Sequence, residues 1–215
     1  MSMYLLKIFK EEKYLNDFLN GKLYMNTLKY FKEDERLDIA RLDRCETIVE
    51  NFKPNYLQIE TFVVPKDELC MMTKVTKKYD LCNIFCMLSI WKEYEEEKIS
   101  LDEKNKEFGN YCIVITNFTE FLKRIDNATN LKNIEKSDYS KIDYIDKNKK
   151  NKIKENMIPF TKFDNFSYQR EFRIAINTKR NVNKPFILDI GDLRDIAVAT
   201  TYDKIEIINN NYYQY

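Results

Sequence analysis

Only three glycines, Gly21, Gly109 and Gly191, occur in 215 residues, and they stand far apart. A phosphate-binding loop and a dinucleotide-binding turn both need clustered glycines, because the backbone must approach a phosphate closely. Neither turn can be built here, so side chains would have to hold most of any bound nucleotide. The chain also contains no histidine. That removes Ser-His-Asp and Cys-His nucleophile activation and every His-ligated metal site. Proton transfer near neutral pH is left to a carboxylate, tyrosine, lysine, cysteine or water.

The pattern between these glycines predicts many short strands and a few helices. MYLLKIF (3–9) has the apolar content of a buried strand. In EEKYLNDFLN (11–20), Tyr14, Leu15, Phe18 and Leu19 recur at helical spacing, and Gly21 follows as a natural C-cap. Segments 23–25, 56–64, 70–76, 82–90 and 110–116 read as strands, rich in β-branched and aromatic residues. Ser100 followed by Glu103 is a capping-box pattern for a short helix ending near Gly109. Asn117 caps a helix whose Phe118, Phe121, Leu122 and Ile125 form one apolar stripe. Residues 127–156, rich in Lys, Asn and Asp, read as a surface insertion with a weak strand (KIDYID) and a basic helix. Strands follow at 168–177, 185–190, 196–200 and 204–209, the last three spaced closely enough to pair with one another. The fold class expected is α+β, mainly antiparallel, as one domain over 1–215.

Net charge is +1, so no global field would draw the chain to nucleic acid or to an anionic membrane. No stretch approaches the roughly 18 apolar residues of a spanning helix, and the N-terminus lacks a signal-peptide pattern. These features lead to the expectation of a soluble cytoplasmic protein, with no membrane partner and with nucleic acid not the expected one. Five cysteines without a secretion signal predict reduced, mostly buried thiols.

The tightest polar arrangement is YQREFRI (168–174). Read as a strand, it places Tyr168, Arg170, Phe172 and Ile174 on one face and Gln169, Glu171 and Arg173 on the other. An ionised Glu171 there can stabilise positive charge developing on a sugar ring, accept a ribose hydroxyl, or take a proton from an attacking group. An exposed cross-strand salt bridge accounts for the same pattern. Upstream, PFTKFDNFSY could line a cleft, with Lys162 complementing an anion. A second constellation, EDERLDIARLDRCE (33–46), interleaves Asp34, Glu35, Asp38, Asp43 and Glu46 with Arg36, Arg41 and Arg44. Oxygen ligands at this density can bind Mg²⁺, but the arginines point to internal salt bridges. Arg41 and Arg44 would share a helix face able to grip a phosphate or carboxylate.

The late strand, with an aromatic, Gln or Glu, any residue, Glu, an aromatic and Arg, resembles an uncharacterised family of bacterial and phage proteins. Further elements of that resemblance are FLNGKLYMNTLKYF (18–31), Asp43 to Glu46, and Cys86-x-x-Ser89 with Trp91. More remotely, the layout is similar to mono-ADP-ribosyltransferases. That resemblance implies Gln169 and Glu171 as catalytic residues, with Glu171 stabilising an oxocarbenium-like ribose and NAD as the nucleotide. Ser89 on a central strand and Tyr4 or Lys7 on the first strand would stand where that family carries further substrate contacts. Tyr168, Arg173, Arg44, Arg41 and Lys162 complete the candidate substrate-binding set, with no metal. Replacing Glu171 by Gln is expected to leave the fold intact and to abolish NAD turnover. The rival expectation is a non-catalytic, phage- or defence-related module that engages a protein partner or a small anion.

Overall fold

Alternating apolar residues in three long segments seed the central sheet of the computed structural model, which describes residues 3–33, 42–59, 61–91, 101–130, 134–179 and 182–205. The strands are β1 (Met3–Phe9), β2 (Lys22–Thr27), β3 (Ile48–Phe52), β4 (Gln58–Ile59), β5 (Phe62–Val63), β6 (Met72–Val75), β7 (Asn83–Trp91) and β8 (Tyr111–Ile115). They continue with β9 (Ile134–Lys141), β10 (Asp143–Ile145), β11 (Asn151–Lys152), β12 (Thr161–Phe163), β13 (Glu171–Thr178), β14 (Phe186–Asp189) and β15 (Ala197–Thr201). The α-helices are α1 (Glu12–Leu19), α2 (Leu28–Glu33) and α3 (Phe118–Asn130). The architecture is α+β, and every strand pairing is antiparallel except β10 with β12.

Eight strands form the main sheet, which forks at β7. On one edge β7 pairs with β13 from Leu88–Glu171 to Asn83–Ile176, and β13 continues to β9. The opposite edge is shared by two strands. β1 takes the end near Leu88 and Trp91, and β2 takes Asn83 and Ile84. Beyond Leu6, β1 leaves β7 and stays with β8, while the first half of β2 stays with β14. Over Phe85–Met87 neither β1 nor β2 pairs with this edge of β7, and α1 bridges the gap from the end of β1 to the start of β2.

One face of the sheet is apolar throughout. Leu5, Met25, Phe85, Met87, Ile113, Phe172, Ile174 and Ile176 point to it and are covered by Leu15 and Phe18 of α1 and Phe121 and Ile125 of α3. The Phe18 ring stacks on Phe85 at 5.4 Å and meets Phe9 at 5.8 Å, pairs worth about 1 kcal/mol each beyond the area they bury. Gly21, at φ +80°, ends α1. A β-carbon there would lie 2.0 Å from the Gly191 carbonyl oxygen, so only glycine fits. The opposite face of β7 and β13 is covered by the small sheets β11-β3-β6 and β10-β12. Their side chains build two further apolar clusters, around Ile84, Phe160 and Ala175 and around Ile48, Ile145 and Phe163.

Several expectations are corrected. YQREFRI is not one strand: residues 164–169 form a 3-10 turn, Arg170 is left-handed (φ +40°), and extended structure begins at Glu171. The segment 134–145 is not a surface insertion, since β9 extends the main sheet and β10 supports the covering layer. No basic helix forms over 147–154. The late strands do not pair with each other; β14 joins β2 and β15 joins β8. Within 56–64 the described residues form two paired two-residue strands, β4 and β5, rather than one strand. The helix cap before Glu103 is Asp102, whose carboxylate accepts from the Lys104 N–H; Ser100 lies outside the described residues, as do residues 206–209.

Candidate functional site

On β13 the alternation that sends Phe172 and Ile174 into the aromatic core sends Glu171 and Arg173 to the opposite face. That face is not solvent. Arg173 is 0% exposed and spends its guanidinium within the protein. Its Nη1 and Nη2 donate to Glu46 at 3.0 and 2.9 Å, its Nε to Glu171 at 2.7 Å, and Nη1 also to the Pro159 carbonyl at 2.6 Å. Lys162 of β12 lies between the same two carboxylates, 2.9 Å from Glu171 and 3.4 Å from Glu46. It also donates to Gln169 at 3.1 Å and stands 5.2 Å over the Phe166 ring. Two cations and two carboxylates thus neutralise one another in a buried square.

Several groups aim this square. The Glu171 N–H donates to the Tyr144 hydroxyl at 2.9 Å. Both the N–H and the hydroxyl of Ser89 donate to the Arg170 carbonyl at 2.8 Å, fixing the left-handed turn that presents Gln169 and Glu171. Among the described residues the other non-glycine position with positive φ is Thr47 (φ +66°), directly after Glu46. A β-branched residue in that region costs about 1–3 kcal/mol of strain. It is held there because its hydroxyl donates to the Thr76 carbonyl at 2.6 Å and accepts from Lys32 at 3.2 Å. Each cluster carboxylate therefore adjoins one of the two left-handed residues.

Burial would push the Glu171 carboxyl up, but the charges of Arg173 and Lys162 outweigh it and hold the group well below the usual carboxylate range. Burial likewise works against the charged forms of Lys162 and Arg173, and Glu171 with Glu46 keeps both cationic. Asp43 is the exception. Burial first, and then the neighbouring Glu46, raise it to about 6. Its Oδ1 accepts from the Cys45 N–H at 2.9 Å, while its buried Oδ2 has no hydrogen-bond partner among the described residues. Cys86, beside Glu171, is pushed up to about 12 by burial and by that carboxylate, so it is a thiol that hydrogen-bonds Glu171 and not a nucleophile.

The square forms the floor of a cleft of about 1390 Å³ that opens at the fork of the sheet. Lys7 of β1 reaches across the gap and donates to the Cys86 carbonyl at 2.6 Å, with its ammonium 4.5 Å from the Phe85 ring centre. Among the described residues the walls carry six lysines (Lys7, Lys10, Lys13, Lys22, Lys29, Lys184) against three carboxylates (Glu11, Asp17, Glu33). This local excess is concealed by the near-neutral total charge.

The candidate residues divide accordingly. Glu171, Gln169, Lys162 and Arg173 are brought together at the cleft; Arg173, 0% exposed and paired with both carboxylates, positions Glu171 and Glu46. Ser89 is buried and bonded to the Arg170 carbonyl, away from the cleft lining. Tyr168 lines a separate, smaller cavity of about 420 Å³ with Asn105 and Arg170. Tyr4 and Arg44 are exposed and do not line the cleft; Arg41 lies outside the described residues. Of the two first-strand candidates, Lys7 lines the cleft and Tyr4 does not. Sequence reasoning passed over Glu46 and Tyr144 as site members; the Asp43-x-x-Glu46 spacing was the available signal for the first, and a lone tyrosine offered none.

Of the short motifs quoted for the resemblance, Glu46, Gln169, Glu171 and Arg173 meet at the buried square, with Cys86 beside Glu171, while Ser89 bonds the adjoining Arg170 carbonyl outside the cleft lining. No protein-family model, curated protein or solved structure matches the chain. Among the described residues no group of three or more carboxylates or thiols is arranged to hold a metal ion, and no helix is long and apolar enough to cross a membrane.

Proposed function

We infer that the forked cleft binds a nucleotide and that Glu171 acts on its ribose, as in an ADP-ribosyltransferase with NAD as substrate. The observation that carries this reading is an ionised carboxylate at the floor of a cleft whose walls have a lysine excess. Wall lysines would hold the diphosphate by charge. Each oxygen of Glu171 accepts from one cation and keeps lone-pair capacity for a ribose hydroxyl. Its negative charge would oppose the positive charge that appears on the ribose as the bond to nicotinamide breaks. The bonding pair leaves with neutral nicotinamide; an acceptor nucleophile then adds to the anomeric carbon and gives up its proton.

A second reading is a binding module for a nucleotide or another small anion that performs no chemistry. It is favoured by one fact: Arg173 and Lys162 already neutralise Glu171. That fact also changes the test. Glu171→Gln alone leaves two buried cations facing one carboxylate, a loss of about 3–5 kcal/mol, so the substitution would not spare the fold. The charge-matched pair Glu171→Gln with Lys162→Gln removes one charge of each sign.

The experiment measures NAD binding by thermal shift and nicotinamide release by chromatography, in the native chain and in this double variant after its fold is checked by circular dichroism. Ligand binding raises stability by RT ln(1+[L]/Kd). Release by the native chain and none by the folded variant is the expected result. Equal release in both would end the role of Glu171. Binding without release would leave the binding module, and no shift at millimolar NAD, ADP-ribose or inorganic phosphate would end both readings.

A further inference from the structure

The floor of the cleft is internally paired, but its mouth is not built like a small-molecule pocket. Sites for single small molecules and cofactors usually measure about 300–1,000 Å³, and this cleft is about 1390 Å³. Two large aromatic side chains stand exposed on its rim, Tyr14 on α1 (48%) and Tyr24 on β2 (55%). Tyr24 is paired across the strands with Ile187 of β14, itself 49% exposed and also lining the cleft. The pair makes a flat apolar step on one arm of the fork. Lys22 is two residues from Tyr24 on the same strand, and Lys184 lies just before β14. Two of the three wall carboxylates are already matched, Asp17 by Lys22 at 3.5 Å and Glu33 by Lys29 at 3.7 Å. Among the described wall residues lysines outnumber carboxylates, with Lys13, Lys22 and Lys184 among them.

Open aromatic faces interleaved with lysines are the surface that single-stranded nucleic acid requires. Bases stack on the rings and phosphates track the cations, whereas a duplex keeps its base faces inside its own stack. We propose that a single-stranded oligonucleotide is the macromolecular ligand of this cleft, lying across its mouth with bases on Tyr24 and Tyr14 and phosphates on Lys22, Lys184 and Lys13. This reverses the expectation drawn from net charge, because a charge total is blind to how the lysines are distributed. The proposal shares its cleft with the nucleotide reading and does not depend on the chemistry at Glu171. An acidic peptide would meet the same lysines but has no use for exposed tyrosine faces.

The test is fluorescence anisotropy of the intact chain with a labelled twelve-nucleotide single strand of mixed sequence, with the same strand annealed as duplex, and with a labelled poly-glutamate peptide. Three or four phosphate contacts predict that single-strand affinity falls about 20- to 50-fold between 50 and 200 mM salt. Tyr24→Ala, on an exposed strand face, should weaken it by about 5- to 100-fold while leaving the circular dichroism spectrum unchanged. Lys22→Glu with Lys184→Glu should abolish it. No single-strand binding at 50 mM salt, binding indifferent to Tyr24→Ala, or peptide binding as tight as the single strand would each overturn the proposal. A parallel titration with NAD separates the two readings: an oligonucleotide bound without NAD sinks only the nucleotide reading, and NAD bound without the oligonucleotide sinks only this one.

Discussion

Arg173 and Ile174 are neighbours on one strand, both 0% exposed, and they are buried by opposite physics. Ile174 faces the aromatic core and gains from loss of contact with water, an effect without direction that tolerates small changes of shape. Arg173 faces Glu46 and Glu171, where each charge is tolerable only because its partners are in place. The comparison teaches that burial alone does not make a position forgiving or unforgiving; the number of groups orphaned by a substitution does. It also assigns roles. The apolar face holds the fork together, and the ionic face keeps a carboxylate charged at the bottom of the cleft.

The largest effect expected from breaking this contrast is at Arg173. Arg173→Leu leaves Glu46 and Glu171 sharing Lys162 alone, and urea denaturation should show a loss of about 3–5 kcal/mol. Asp43 comes next, through pH. Its folded value, about 6, lies above its ordinary 3.8, so the folded chain binds the extra proton. Stability from this group is fully present below pH 4 and is lost as pH rises through 6, by about 3 kcal/mol in all. Asp43→Asn removes the titration. The stability difference between variant and native chain should therefore move in the variant's favour by that amount between pH 4 and pH 7, against a pH-independent difference if Asp43 is solvated. Glu171 runs the other way. Its lowered value adds stability above the usual carboxylate range that is lost only in stronger acid.

A double-mutant cycle sharpens the ionic side. Glu171→Gln and Lys162→Gln together should cost less than the sum of the single changes, with a coupling of about 2 kcal/mol; additivity would mean the two are not a pair. The smallest effect belongs to the apolar side. Ile174→Val, next to Arg173 in sequence, should cost only about 0.5–1.5 kcal/mol.

The long strands were legible because alternation and β-branched runs act locally: β1, β7 and β8 fall where the pattern puts them. Grouping Gln169, Glu171 and Arg173 was also legible, although through the wrong geometry. A left-handed Arg170 replaces strand alternation, and the Ser89 bonds that hold it come from 81 positions away. What the sequence hid was distance and enclosure. Glu46 lies 127 positions from Arg173, and no local period announces that pairing. Residues 134–145 looked like an insertion because an edge strand with an outward face carries polar residues, and β9 does. The face of Glu171 looked exposed because charge usually signals solvent, and only the covering layer that brings in Lys162 and Tyr144 reverses that.

The central claim is that the gap between β1 and β2, above Glu171, is where a nucleotide binds. Amide chemical-shift mapping during an NAD titration tests it most directly. The account predicts saturable shifts concentrated at Lys7 and Ile8 on β1, Tyr24 on β2, and Cys86 and Glu171 on the floor, with β15 and the β4–β5 hairpin unmoved. Shifts that cluster outside the fork, or none at millimolar NAD, would contradict it.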